Sequence, residues 1–169
     1  MRNDNRGLTF VELIIVVAIM SVLVGVAGYG LGLINGKAAD ECSQKIMFTL
    51  DQARTKAVGK YSVTYKLYRN SSTGLVEVEE CVIAKAGDEE VKTKSTVGAK
   101  NVKVVCYFTS GDPKTIAGTD YLLLKFDRAT GGFKPEIDGG ADCEKIEVSK
   151  AQTTKKIMLV PPTGKVYME

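Results

Sequence analysis

Apolar and polar positions divide this chain into three stretches with three different periods. From Leu13 to Ala27 there is neither a charge nor a proline, and the apolar run continues to about Ile34. Such a run predicts a helix of roughly 20 residues, long enough to span a membrane. Beyond Gly36 the apolar residues thin out to every third or fourth position. Ala38, Cys42, Ile46, Leu50, Ala53 and Ala57 form one narrow stripe, and Asp40, Gln44, Lys45, Asp51, Gln52, Arg54 and Lys56 fill the other faces. This is the pattern of an amphipathic helix, with Gly59 as its stop. A helix continuous from Leu8 to about Val58 would be roughly 75 Å long at ~1.5 Å per residue. Gly25, Gly28, Gly30, Gly32 and Gly36 cluster at its middle, either weakening it locally or letting neighbouring helices pack closely.

From Tyr61 the period becomes two. Tyr61, Val63, Tyr65 and Leu67 alternate with Ser62, Thr64 and Lys66, which predicts a half-buried strand. Asn70-Ser71-Ser72-Thr73-Gly74 predicts a turn. Leu75 to Lys85 predicts a second strand with Val76, Val78, Val82 and Ala84 on one face, completing a hairpin. Further strands are expected at Val91 to Val97, Val102 to Thr109, Tyr121 to Asp127 and Lys145 to Ser149. A last pair, Lys156 to Val160 and Lys165 to Met168, is joined across Pro161-Pro162-Thr163-Gly164. The expected class is α+β: a long N-terminal helix, its first half transmembrane, packed on an antiparallel sheet. The expected segments are 1–7 as a leader, 8–34 as the apolar half of the helix, 35–60 as its amphipathic half and 61–169 as the sheet domain. The last two amount to about 135 residues, enough for one core.

Charge changes this picture little. The net charge is +3, and the leader holds two Arg and one Asp of the total. No block of Lys and Arg stands out, and no basic stripe interleaved with aromatics is visible along the chain. Arg2 and Arg6 before the apolar run favour a cytoplasmic N-terminus and an extracytoplasmic C-terminal domain. There is no histidine, which removes the commonest general base and the commonest metal ligand and makes an enzyme the minority reading. Cys42, Cys81, Cys106 and Cys143 contain no C-x-x-C pair. They are disulfide candidates in an oxidising compartment, with the pairing, and the choice between bridged and free, left open. Asp138, Asp142 and Glu144 gather carboxylates around a Gly-Gly turn and are the candidate ligands for calcium, although Asp and Gly also serve turns. The polar stretch Ser110 to Thr119 is a candidate contact surface.

The start of the chain carries the most specific pattern. Arg6-Gly7-Leu8-Thr9-Phe10-Val11-Glu12, leading straight into the apolar run, resembles the N-terminus of type IV pilins and of the pseudopilins of type II secretion and DNA-uptake machines. The first mature residue here is Leu8 where the family most often has Phe, and the mid-helix Pro of many relatives is absent. The resemblance implies that a prepilin peptidase cuts between Gly7 and Leu8 and methylates the amine of Leu8. It further implies that Glu12, with Thr9 beside it, serves subunit assembly by countering a neighbour's N-terminal amine. A carboxylate in hydrocarbon is costly unless paired, which agrees with that role. The implied partners are other pilin subunits, the peptidase, the cytoplasmic membrane and a pilus assembly platform, with no cofactor. Leu50, Ala53, Arg54 and Ala57, with Gly164 in a closing hairpin, are similar to minor pseudopilins of the GspH/FimT type. The expected function is therefore a structural subunit, minor or tip-proximal, of a type IV pilus or pseudopilus. The alternatives are a competence or FimT-like minor pilin that contacts DNA, and a membrane-anchored extracellular enzyme.

Overall fold

The computed structural model describes residues 9–59, 61–84, 89–134 and 140–169, with residues 27–35 described by backbone alone. Among the described residues one helix, α1 (Phe10–Val58), is followed by ten strands: β1 (Ser62–Arg69), β2 (Val76–Ile83), β3 (Val91–Gly98), β4 (Lys103–Phe108), β5 (Lys114–Thr115), β6 (Tyr121–Phe126), β7 (Phe133–Lys134), β8 (Cys143–Lys150), β9 (Thr153–Val160) and β10 (Lys165–Met168). The class is α+β, as the periods require. The chain divides into two compact units, Met1–Ile34 and Asn35–Glu169. Among the described residues no helix is long and apolar enough to cross a membrane. Of the mid-helix glycines, Gly28, Gly30 and Gly32 lie among the residues described by backbone alone.

In the second unit the strands form two antiparallel sheets rather than the single sheet expected. The first has the order β3-β2-β1-β6-β7 and the second β10-β9-β8-β4-β5. The chain alternates between them: β1–β3 belong to the first, β4–β5 to the second, β6–β7 to the first again, and β8–β10 to the second. Each strand of the expected set is present, but pairing skips along the sequence. Tyr65 of β1 stands opposite Glu80 on β2 and Leu124 on β6, and Val104 of β4 stands opposite Val148 on β8.

A single core joins the helix to both sheets. Cys42, Ile46, Leu50, Ala53 and Ala57 are buried as the stripe predicts, and Ala39 takes the fully buried place at its head while Ala38 is only half-buried. They meet Val63, Tyr65 and Leu67 from β1 and Val104, Cys106, Ile146 and Val148 from the second sheet. Contact at the end of β3 is close, because a Cβ on Gly98 would stand 2.6 Å from the Cys42 sulfur. The 110–119 stretch, expected as an exposed loop, instead places β5 against β4 and buries Ile116 completely. An apolar residue two places after Lys114 lets the segment close the edge of the second sheet.

Arg69, the last residue of β1, binds the crossings between the sheets. Its guanidinium donates to the carbonyls of Gly74 at 2.7 Å, Lys100 at 2.8 Å and Ile116 at 3.3 Å, and also to Val102. A planar group with five donors can satisfy several carbonyls that an ammonium could not reach together. At the β9–β10 turn Gly164 has φ of 65°, and a Cβ there would collide with the carbonyl of Gly131.

Candidate functional site

The helix begins in a reciprocal cap. Thr9 precedes the first helical residue, and its backbone N–H and its hydroxyl both donate to Glu12 Oε2 at 2.9 Å. The Glu12 N–H donates back to Thr9 Oγ1 at 3.3 Å. A Thr with a Glu three residues on is the pairing that satisfies helix-start donors lacking intrahelical partners. The spacing T-x-x-E in the sequence signals it, a local role distinct from the assembly role that the resemblance implies for Glu12. Here it already has a local structural role, and its charge sits at the positive end of the helix dipole. Gly7 and Leu8, the expected processing pair, lie outside the described residues. Past the cap, every large apolar side chain from Phe10 to Val26 is exposed, from 48% at Val16 to 78% at Phe10. Among the described residues, Phe10 to Val26 therefore present a helix face that is apolar on every side, with the Glu12 carboxylate at its head. A surface of that kind marks a place for lipid or for other helices.

The four cysteines are free thiols. Cys42 lies in the core, where burial pushes its thiol up to about 12. Cys106 and Cys143 come together in the second sheet. A thiol–thiol hydrogen bond, and then burial, holds the Cys106 proton well above the ordinary thiol range. Cys81 sits on the outer face of the first sheet; burial first, and then a hydrogen bond to Glu90, raise its thiol to about 11. None has the electropositive, open surroundings of a reactive thiolate.

Of the acidic loop, Asp138 lies outside the described residues. Asp142 exchanges backbone and side-chain bonds with Thr109, and Glu144 is exposed on β8. Among the described residues no group of three or more His, Cys, Asp or Glu is placed to hold a metal ion.

Sequence reading overlooked Glu80. On β2 it shares the inward face with Val76, Val78 and Val82, opposite Tyr65 on β1 and Thr93 on β3. It is nine-tenths buried. Lys56 from the last turn of α1 reaches its Oε2 at 2.7 Å. Among the described residues its Oε1 has no partner and no contact with solvent. Beside it the fully buried Tyr65 shares a hydrogen bond of 2.9 Å with Thr49, and burial raises the phenol. These groups floor a cleft of about 310 Å³ between α1 and β3, with Phe48 at its side. A Glu in an otherwise Val-only inward row was the available signal.

The outer face of the first sheet holds a second cluster. The Lys66 ammonium lies 4.4 Å from the Tyr121 ring centre and 5.8 Å from that of Tyr68, and Lys114 stands 5.3 Å from Tyr121. Lys66, Tyr68 and Tyr121, together with Arg69 and Lys94, surround a shallow cleft of about 520 Å³. Acidic groups temper it: the Tyr68 hydroxyl donates to Glu77 at 2.9 Å, and Lys94 pairs with Glu79 at 3.3 Å. Desolvation, and then the bond to Glu77, push the Tyr68 phenol up to about 12.

Residues 2–28 match the prokaryotic N-terminal methylation motif. No curated protein matches the chain, and no solved structure does. The match ends before the amphipathic half of the helix, so it lends nothing to the GspH/FimT subtype. The chain thus carries a type IV pilin-like methylation motif at the head of a long helix, and the motif points to a structural subunit rather than an enzyme.

Proposed function

We propose that this chain is a prepilin-like precursor that becomes a filament subunit through its N-terminal helix, in a minor or tip-proximal place of a type IV pilus or pseudopilus. A prepilin peptidase cuts between Gly7 and Leu8 and methylates the Leu8 amine. The precursor waits in the cytoplasmic membrane, N-terminus inside, until the assembly platform draws it out. The observation that carries this reading is the methylation motif over residues 2–28, which takes in the start of a helix whose apolar side chains from Phe10 to Val26 are exposed. In an assembly those side chains pack against other helices, and Glu12 meets the amine of a neighbour's Leu8.

The capping bonds make the test sharper. Glu12→Gln keeps an acceptor for Thr9 and removes only the charge; Glu12→Ala removes both. If the charge serves assembly, both variants are processed and both lose filaments. If Glu12 serves only as a cap, Glu12→Gln assembles like the wild type and Glu12→Ala alone is impaired. Shear fractions with electron microscopy read assembly, and mass spectrometry of the N-terminus reads processing. Wild-type filament yield in Glu12→Gln removes the charge-pair reading, and an N-terminus left at Met1 removes the precursor reading.

A second reading, nucleic-acid contact, is favoured by one observation: the Lys66, Lys114, Tyr68 and Tyr121 cluster, which combines cations with ring faces. Backbone phosphates take the cations, and unpaired bases stack on the rings. Fluorescence polarisation with a labelled oligonucleotide at two salt concentrations tests it. Binding that falls steeply with salt, and falls tenfold or more in Lys66→Glu, supports the reading. Binding unchanged by that substitution refutes it.

A further inference from the structure

The edge of the first sheet at β3 is built to accept another strand. β3 runs eight residues, Val91–Gly98, without proline, and among the described residues no strand pairs with its other side. Its row of outward N–H and C=O groups is an unused ladder, which is the feature that strand addition exploits. The side chains agree with this. Val91, Thr93 and Ser95 are on the sheet's inward face, the side that α1 covers over β1 and β2, yet all three are exposed. Beneath the overhang lies the cleft of about 310 Å³, with Phe48 of α1 62% exposed beside it. A strand laid along β3 would send alternate side chains down into that cleft.

The charges on the opposite face indicate what kind of strand fits. Lys92 and Lys94 point outward with side chains 53% and 62% exposed, and each touches one acidic neighbour, Glu90 and Glu79. A second copy of β3 is a poor occupant. About a two-fold axis, facing residues have the same parity. Centring on Thr93 sets Lys92 against Lys94, centring on Lys94 sets it against itself, and centring on Ser95 sets Lys94 against Thr96, so no register of this strand with itself gives either lysine an acidic partner. Like charges directly opposite each other destabilise a sheet. A strand with acidic residues at those positions gains where a second copy loses.

We propose that β3 is a docking edge for an extended segment of another protein, one that alternates acidic side chains facing Lys92 and Lys94 with apolar side chains entering the Phe48 cleft. This does not rest on the filament reading. The test uses the full chain in detergent micelles and two seven-residue peptides of equal composition. One alternates, Glu-Val-Glu-Leu-Glu-Val-Glu, and the other has its apolar residues in one block. The expected result is that the alternating peptide slows amide hydrogen exchange across residues 91–98 at least tenfold and the blocked peptide does not. Phe48→Ser and the double Lys92→Glu/Lys94→Glu variant should each weaken the effect tenfold or more. Because all three residues are exposed, these variants keep the fold, which the unchanged exchange of β1 and β8 verifies. Equal protection by both peptides, protection by neither at millimolar concentration, or concentration-dependent protection of β3 without peptide overturns the proposal. The last result would assign the edge to a second copy.

Discussion

Gly98→Ala tests how closely the amphipathic half of α1 is docked on the first sheet. The added methyl would stand 2.6 Å from Cys42 Sγ, 3.1 Å from Val76 Cβ and 3.3 Å from Val76 Cγ2. Non-bonded carbon contacts settle near 3.5–4.0 Å, so the sulfur must retreat by about 1 Å. It has little room, because Cys42 is 1% exposed, and Val76 Cβ is held by its own backbone. Overpacking of this kind costs about 1–3 kcal/mol. Replacing Gly returns about 0.4–1 kcal/mol through the unfolded chain, since φ at this position is ordinary. The expected net loss is about 1–2 kcal/mol. Cys42→Ala alone removes one buried sulfur and costs about 1 kcal/mol. In the double variant the new methyl occupies the vacated space. Its stability should therefore fall near that of Cys42→Ala alone, a coupling of about 1 kcal/mol. Urea unfolding of a 35–169 fragment followed by circular dichroism reads all four corners of the cycle. A neutral Gly98→Ala, or costs that simply add in the double variant, would refute the close approach of helix and strand.

Three further outcomes follow from the charges and thiols. Lys56→Met strands the Glu80 carboxylate; because the lysine side chain is 43% exposed, the cost should be about 1–2 kcal/mol rather than the 3–5 of a fully buried pair. Lys56→Met/Glu80→Met should recover most of that loss in urea unfolding, and a neutral Lys56→Met would contradict the pairing. The Cys42 thiol is raised from 9.0 to about 12 by burial, so its contribution is complete below pH 9 and is lost as pH rises toward 12, where the unfolded thiol is already ionised. Cys42→Ala should flatten this alkaline decline, and an unchanged slope would sink the assignment. Asp127 is held below the carboxylate range by Lys134 at 2.7 Å and then by the N–H groups of Thr130 and Ala129. Its stabilisation is present above the unfolded pKa and falls away as pH drops below about 4. Asp127→Asn should be less sensitive to acid over that window in thermal melts, and identical acid profiles would argue against the carboxylate.

Much of the fold was legible because its signals are local. The stripe from Cys42 to Ala57 and the alternation from Val63 to Leu67 each depend on which side of one element is covered. The two-sheet arrangement was not, since pairing of β1 with β6 or of β4 with β8 depends on residues far along the chain, and alternation looks the same whichever strand lies opposite. β3 shows the same limit: a strand is expected over Val91 to Val97, but nothing local says that its inward face stays uncovered. The helix-start cap was legible in the spacing of Thr9 and Glu12, and the resemblance drew attention to another role for the same carboxylate. Glu80 was obscured differently. One charged residue at a core position looks like an interruption until Lys56, on a separate element, is brought within reach.

The interleaved strand order has a consequence for the newly made chain. Residues appear from the N-terminus onward, so helix, β1, β2 and β3 exist before β6 does. A chain halted near residue 119 carries two open ladders at once, one on β1 awaiting β6 and one on β4 awaiting β8. Both edges border apolar inner faces, the arrangement that recruits strands from other molecules. Neither sheet can be finished early, because the closing strand of each lies beyond the opening strands of the other. Long-range pairing of this order also makes folding slow compared with hairpins that close on their neighbours. Truncations between residues 119 and 150 should therefore yield aggregates rather than half-domains, and the chain commits to its structure only when β8 has arrived.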